Sequence, residues 1–481
     1  MLRRTFSTTA RACKEYKPHS PLSQTTPTLS FFNAVHPPST PSWDGSTSPS
    51  DAKSMIPAFR LLSPLGSLPP SLPEVLEKEP VDPLRLRRML EVMTALPVMD
   101  QILYSSQRQG RISFYMTSYG EEGSVVGSAA AWDEKDEVFA QYREVGVLLW
   151  RGYPLSSLMA QVFSSASDTA TLGRQMPVHY GSPSHHFHTI SSPLATQFPQ
   201  AAGAAYALKL KKQKLIAEGK EGEGKCVICY AGEGASSEGD FHAGLNMASV
   251  LGGPIVFFIR NNGFAISTPT SEQYASDGIA SRGPGYGIDT IRVDGNDPLA
   301  VYIACREARR RAVEGEGRAV LVESMSYRVG HHSTSDDSSA YRSIDDVNTI
   351  SKLDSPLNRL RKYLESLPPH PSSSASEGNP GESAPLWSAE YDDAVKAKAK
   401  KEILAAFSKA EKEKKPPLLH GMFGDVFAPL EGQEGGETLE RPQREQRDEM
   451  RRLVEKWGGK HEGWKKELEK FAGGREAVLK G

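Results

Sequence analysis

Glu233 stands between Gly232 and Gly234, and Asn261-Asn262-Gly263 follows once residues 235–260 have passed. A carboxylate, an amide oxygen and a nearby main-chain carbonyl are hard oxygen donors. Mg2+ takes such donors in octahedral geometry and is commonly shared with substrate phosphates. Two phosphate oxygens and a water would complete the shell that these residues begin. Flanking glycines let the backbone come close to a phosphate, and a helix start beyond them offers free N–H groups. A glycine-rich turn with a solvated glutamate, followed by an Asn-Asn-Gly turn, needs the same residues, and the spacing alone favours neither reading.

The flanking elements must bring the two stretches together. Residues 226–230 (CVICY) and 254–259 (PIVFFI) are continuous apolar runs, the pattern of strands buried on both faces of a parallel sheet. Parallel strands need a long crossover, and residues 239–250 supply a helix with Phe241, Leu245 and Ala248 on one face. Glu233 and Asn262 then lie just past the carboxyl ends of neighbouring strands, where open α/β sheets bind ligands. Asp82-Pro83 reads as a helix cap and first-turn proline ahead of Leu86, Met89, Leu90 and Met93. Asp297-Pro298 repeats that signature ahead of Val301, Cys305, Ala308 and Ala312, with Gly315 as the stop and a strand at 319–323. The fold class expected is α/β, a doubly wound, mostly parallel sheet with helices on both faces and a helical C-terminal extension.

The chain has 481 residues, 38% hydrophobic and 24% charged, with net charge -2, a soluble globular balance that gives no reason to expect nucleic acid. No apolar run approaches the roughly 18 residues of a membrane span. The first residues carry Arg3, Arg4 and Arg11 among hydroxyl side chains with no acid before Glu15, the composition of a mitochondrial transit peptide rather than a secretory signal. Residues 1–45 are therefore read as transit peptide and disordered segment, 46–81 as a Pro/Ser-rich extension, and 82–367 as the α/β domain. Residues 368–386 read as a linker and 387–481 as a charged helical region, with helices through Ile403, Phe407 and Ala410 and through Met450, Leu453, Val454 and Trp457. The Lys/Glu/Gly stretch 209–225 reads as a solvated loop. Four cysteines are too few for a disulfide framework, and Cys226 and Cys229, three apart on a strand, must point to opposite faces.

The Gly-Glu-Gly and Asn-Asn pair resembles the thiamine-diphosphate signature, in which Asp usually stands where this chain has Glu. With RQGRISFYMTSYGEEG (108–123), QYREVGVLLWRGYP (141–154), GRQMPVHYG (173–181), ISSPLATQ (190–197), RNNGFAISTPTSEQYASDGIASRGPGYG (260–287) and YRVGHHSTSDDSSAYRS (327–343), the chain is similar to alpha subunits of the branched-chain 2-oxo acid dehydrogenase decarboxylases. The resemblance implies that Glu233, Asn262 and the carbonyl of Phe264 ligate Mg2+. It implies thiamine diphosphate among Gln141, Tyr142, Arg143, Ser192, Leu194, Gly232, Gly234, Ala235, Arg260 and His332, and K+ at Ser191, Pro193, Thr196 and Gln197. Either arginine could instead be a buried structural ion pair, and the potassium residues could make a plain turn. Only the diphosphate half of the cofactor site is present, so a beta subunit must supply the rest, in an assembly of two alpha and two beta chains in the mitochondrial matrix.

The resemblance places His332 beside the cofactor's thiazolium, assisting acyl transfer to the lipoyl group of a transacylase core. A histidine titrates nearest neutral pH, so it can pass a proton without a large pKa shift; sequence alone does not choose between His331 and His332. Ser333 and Ser343 match regulatory phosphorylation sites served by a kinase and phosphatase, and each phosphate would add about -1.5 to -2 charges. Arg328, Asp336, Tyr341 and Arg342 match positions that order this hydrophilic, mobile loop for the lipoyl domain. A pyruvate dehydrogenase alpha subunit shares the architecture, but its loop reads His-Gly-His-Ser-Met-Ser-Asp-Pro where this chain has Gly330-His-His-Ser-Thr-Ser-Asp-Asp337. A non-catalytic regulatory subunit is the remaining alternative, and an intact Glu233, Asn262 and His332 argue against it.

Overall fold

The computed structural model describes residues 25–26, 56–69, 80–370 without 223 and 316, 384–418 and 441–480. The transit segment, apart from Thr25–Thr26, and most of the expected linker lie outside the described residues. The strands are β1 Thr25–Thr26, β2 Ala58–Phe59, β3 Glu137–Phe139, β4 Phe187–His188, β5 Val227–Gly232, β6 Ile255–Asn261, β7 Phe264–Ala265, β8 Thr268–Pro269, β9 Asp289–Asp294 and β10 Ala319–Met325. Eight form one sheet in the order β1-β2-β9-β10-β6-β5-β3-β4, with every neighbouring pair parallel. β7 and β8 make a separate antiparallel hairpin.

The central strands are buried on both faces. Ile228 and Tyr230 of β5 and Val256 and Phe258 of β6 enter one core, while Val227, Cys229, Ile255 and Phe257 enter the other, the strict alternation of a strand. Cys226 and Cys229 accordingly fall in opposite cores. The helix Gly239–Leu251 crosses from β5 to β6 and buries Phe241, Leu245 and Ala248, and the helix Pro298–Val313 covers the other face with Val301, Cys305, Ala308 and Ala312. The caps predicted at the two Asp-Pro pairs form: Asp82, ahead of the helix Pro83–Arg108, accepts from the Leu84 N–H, Asp297, ahead of Pro298–Val313, accepts from that of Ala300, and Gly315 takes φ +58° beyond the latter helix.

Three expectations change. The stretch 209–225 is not a loop throughout, because the helix Gln197–Ala217 runs through its first nine residues; Lys, Leu, Gln and Ala are good helix formers, Lys211 and Lys214 are exposed, and Lys209 and Lys212 donate to the Leu251 carbonyl and to the Val313 and Gly315 carbonyls. Leu61 and Leu62 are buried in the main core, so the body of the domain already includes residues 56–69. Both of their backbone N–H groups donate to Asp297. The helix Ala389–Lys412 buries Ile403, Phe407 and Ala410 in that same core, so this part of the C-terminal region packs with the α/β domain. A smaller apolar group unites Val454, Leu468 and Val478.

Candidate active site

Glu233 and Asn262 are the residues immediately after β5 and β6, two strands in direct register. The Glu233 N–H donates to the Arg260 carbonyl at 3.0 Å, which holds the turn against the strand end. Because side chains alternate on a strand, the two asparagines diverge. Asn261 gives its Nδ2 hydrogens to Glu323 Oε1 at 2.8 Å and to the Tyr274 hydroxyl at 3.0 Å. Asn262 gives its Nδ2 to Glu121 Oε1 at 3.0 Å and accepts the Phe264 N–H on Oδ1 at 3.2 Å. Gly263, at φ +90°, makes the reversal that leads into the β7–β8 hairpin. A Cβ on Gly234 would stand 2.7 Å from that of Ala265, so the hairpin approaches the Glu233 turn only over glycine.

The residues fit a divalent cation. The Glu233 carboxylate is buried, with one long contact from the Asn262 N–H at 3.5 Å, and burial pushes its pKa up to about 7. A buried carboxylate short of donors is costly until a cation joins it. The Asn262 amide oxygen and the Phe264 carbonyl are hard donors of the kind Mg2+ takes. The Phe264 carbonyl also accepts from Arg328 at 3.2 Å, and the buried Arg328 Nε has no hydrogen-bond partner.

Gln141, Tyr142 and Arg143 lie just past β3. Gln141 Oε1 accepts the Gly232 N–H at 2.7 Å, tying this loop to the Glu233 turn, and Ala235 is buried in the short helical turn Gly234–Ser237. The two arginines face carboxylates that had no assigned role in the sequence reading. Arg260 donates to Glu144 Oε1 at 2.5 Å and, through Nη1, to Glu121. Arg143 lies 3.7 Å from Glu121 and donates to the Thr117 and His332 carbonyls. All four side chains are buried. The Arg260, Arg143 and Arg328 charges outweigh burial and keep the Glu121 pKa below its usual value, whereas burial raises that of Glu144. Arg260 thus has structural ion-pair partners. The only sequence signal for Glu121 is two adjacent acids between Gly120 and Gly123.

His332 meets the Tyr142 hydroxyl through Nε2 at 3.3 Å, while its backbone N–H donates to Asp336 at 2.7 Å. Burial, with Arg143 and Arg328 nearby, pushes its pKa down to about 3. The imidazole is therefore neutral here, which corrects the expectation of a near-neutral titration. His331 turns the other way, to Ser338, at 3.0 Å. The loop around them is also more ordered than its composition suggests. Arg342 donates to the Arg328, Val329 and Gly330 carbonyls, and the Tyr341 hydroxyl joins Arg328 at 2.9 Å to Asp336 at 2.7 Å. Ser333 is buried, whereas Ser343 is exposed and caps the helix Ile344–Leu353.

In the 190–197 stretch Ser191, Ser192, Pro193 and Leu194 are exposed. Ser192 Oγ meets His179 Nε2 at 2.7 Å, a partner the sequence did not single out. Thr196 Oγ1 lies 3.3 Å from the Pro193 carbonyl, and Gln197 donates its amide to the Tyr230 carbonyl. Two of the four oxygen positions expected around K+ are thus adjacent.

A family model described as "Dehydrogenase E1 component" matches residues 90–373. The chain is 53% identical to the human mitochondrial 2-oxoisovalerate dehydrogenase subunit alpha over 380 residues, covering 79% of this chain and 77% of that one. The Caenorhabditis elegans protein of that name is 51% identical over 343 residues, 71% and 73% of the two chains. Subunit alpha 1 of Arabidopsis thaliana is 47% identical over 379 residues, 79% and 73%. The chain belongs to the dehydrogenase E1 component family and groups there with the alpha subunits of mitochondrial 2-oxoisovalerate dehydrogenases.

Proposed function

We propose that this chain is the alpha subunit of a mitochondrial-matrix enzyme that oxidatively decarboxylates branched-chain 2-oxo acids, using thiamine diphosphate with Mg2+ and K+. The observation that carries the reading is one buried network, Asn262–Glu121–Arg143–His332. It links one proposed metal donor, Asn262, to the backbone of the proposed catalytic histidine, His332. When bound, the cofactor supplies the carbon nucleophile and electron sink for loss of CO2.

Glu233, Asn262 and the Phe264 carbonyl would hold the metal, with Arg328 on the Phe264 carbonyl and Arg143 and Arg260 around Glu121 as the neighbouring cations. In this reading Gln141, Tyr142, Ala235 and the glycines at 232 and 234 line the diphosphate. Ser192 and Leu194, exposed in the isolated chain, meet the cofactor at a surface that a beta chain closes. The beta chain also brings the glutamate that activates the pyrimidine. Neutral His332 offers a hydrogen bond to developing negative charge without adding a formal charge. The acyl carbon is oxidised as the lipoyl disulfide is reduced and takes the acyl group on one sulfur. Arg328, Asp336, Tyr341 and Arg342 hold the loop that receives the lipoyl domain, and Ser333 and Ser343 on that loop are the sites for a regulatory kinase and phosphatase.

The test is co-expression with a beta chain, followed by CO2 release from 3-methyl-2-oxobutanoate and from pyruvate. A preference for the branched acid, with dependence on thiamine diphosphate and loss on Glu233→Ala, is the expected result. A preference for pyruvate would instead make the chain a pyruvate dehydrogenase alpha subunit.

A further inference from the structure

An asparagine can ligate a metal only through its oxygen, so its amide must be held the right way round. Asn262 has two local constraints on that choice. Its Oδ1 faces the Phe264 N–H, and its Nδ2 donates to Glu121 Oε1. The first bond belongs to a short hairpin turn. The second is to a buried carboxylate whose other oxygen is engaged by Arg260 Nη1, with Arg143 at 3.7 Å on the Asn262 side. A flipped amide would set its oxygen against that carboxylate in a buried site.

We propose that Glu121 is a positioning residue for the metal site: its carboxylate holds the Asn262 amino group, leaving the amide oxygen turned away from Glu121 on the side of the Phe264 N–H. This rests on the reading of Glu233, Asn262 and Phe264 as metal donors. The charge matters less than the fact that a carboxylate has two acceptor ends and no donor. It can therefore receive Arg260 on one oxygen and Asn262 on the other at once.

That property makes Glu121→Gln informative. The glutamine oxygen goes to Arg260, which hydrogen-bonds that end directly, whereas Arg143 stands 3.7 Å from the other end. The amino group then faces Asn262, whose own amide must flip to accept from it and so presents Nδ2 to the metal. Partners that orient a metal ligand cost about 10–100-fold in metal affinity when changed. Glu121→Gln should accordingly raise the Mg2+ concentration needed for half-maximal thiamine-diphosphate binding by about tenfold or more. The double variant Glu121→Gln, Asn262→Asp should bring it back to within about threefold of the parent, since an aspartate has no wrong end to present.

The measurement is Mg2+-dependent quenching of intrinsic fluorescence by thiamine diphosphate in the assembled alpha–beta enzyme, alongside the thermal midpoint of each variant. A merely structural Glu121 would lower the midpoint without the metal effect and without its reversal in the double variant. Parent-like Mg2+ dependence in Glu121→Gln, or a double variant no tighter than the single, overturns the proposal. Glu233→Ala in the same assay tests the site itself: retained metal dependence there would remove the donor reading, and this inference with it, whatever Glu121→Gln does.

Discussion

Adjacent residues of one type do different work here because a strand turns them apart. Asn261 binds Glu323, which is paired to Arg292, so Asn261→Ala should cost about 1.5–3 kcal/mol, the range for a hydrogen bond to a charged group. It should lower the thermal midpoint yet leave the Mg2+ requirement unchanged; Asn262→Ala, which also removes a bond to a buried carboxylate, should lower the midpoint and raise the Mg2+ requirement as well, and matched titrations and melts of both variants check it. The Asn-Asn dipeptide was legible and the resemblance named Asn262; strand register supplies the physical reason that the two side chains part, Asn261 to Glu323 and Asn262 to Glu121. The buried acids were not legible, because a carboxylate in a glycine-flanked turn carries no mark of whether a sheet edge will cover it. Glu122 is such a group: burial pushes its pKa up to about 8. With the folded value above the unfolded one, its contribution is full below the unfolded pKa, near 4.5, and declines as pH rises toward 8. Glu122→Gln keeps an acceptor for the Gly120 N–H and should therefore raise the thermal midpoint relative to the parent at pH 8 more than at pH 5. A pH-independent difference would contradict this.

At the scale of elements, the apolar runs and capped helices around the site were readable because burial on both faces leaves a continuous signature. The 328–343 loop was readable only through the resemblance, which named Arg328, Asp336, Tyr341 and Arg342; its order comes from arginine reaching to carbonyls, and any composition rich in Ser and Asp looks mobile until those contacts are known. Arg342 alone binds three successive carbonyls. Arg342→Ala should speed amide hydrogen exchange throughout residues 328–343 and lower lipoyl-linked turnover by about tenfold or more, as misplacement of a reacting group does. Metal-dependent cofactor binding should change little. Exchange rates like the parent's would mean that the loop is held by other contacts. The helix Gln197–Ala217 shows the opposite failure: lysine-rich composition resembled a loop, although helix propensity and the continuing rise from Phe198 through Ala205 sufficed to extend it.

For the whole molecule, the C-terminal region was legible as helical but not as part of the main core. Its apolar positions are spaced for one face, and nothing in the sequence names the surface they cover. Ending the chain at residue 386 would remove Ile403 and Phe407 from contact with the core, at about 1.5–3 kcal/mol each, and expose the helices Pro83–Arg108 and Leu155–Phe163 beneath. Such a truncation should be recovered mainly as aggregate, which size-exclusion chromatography would reveal. The interior also hides sulfur. Cys226, Cys229 and Cys305 are free and buried, and burial holds their thiols well above the ordinary pKa, so iodoacetamide should label them only after denaturation. In the proposed reaction acyl groups pass to a disulfide, so a reactive sulfur pair stands beside the protein on every turnover, and an accessible thiolate there would be drawn into mixed-disulfide exchange. With these three cysteines walled inside the two cores, that traffic has no side exit through them.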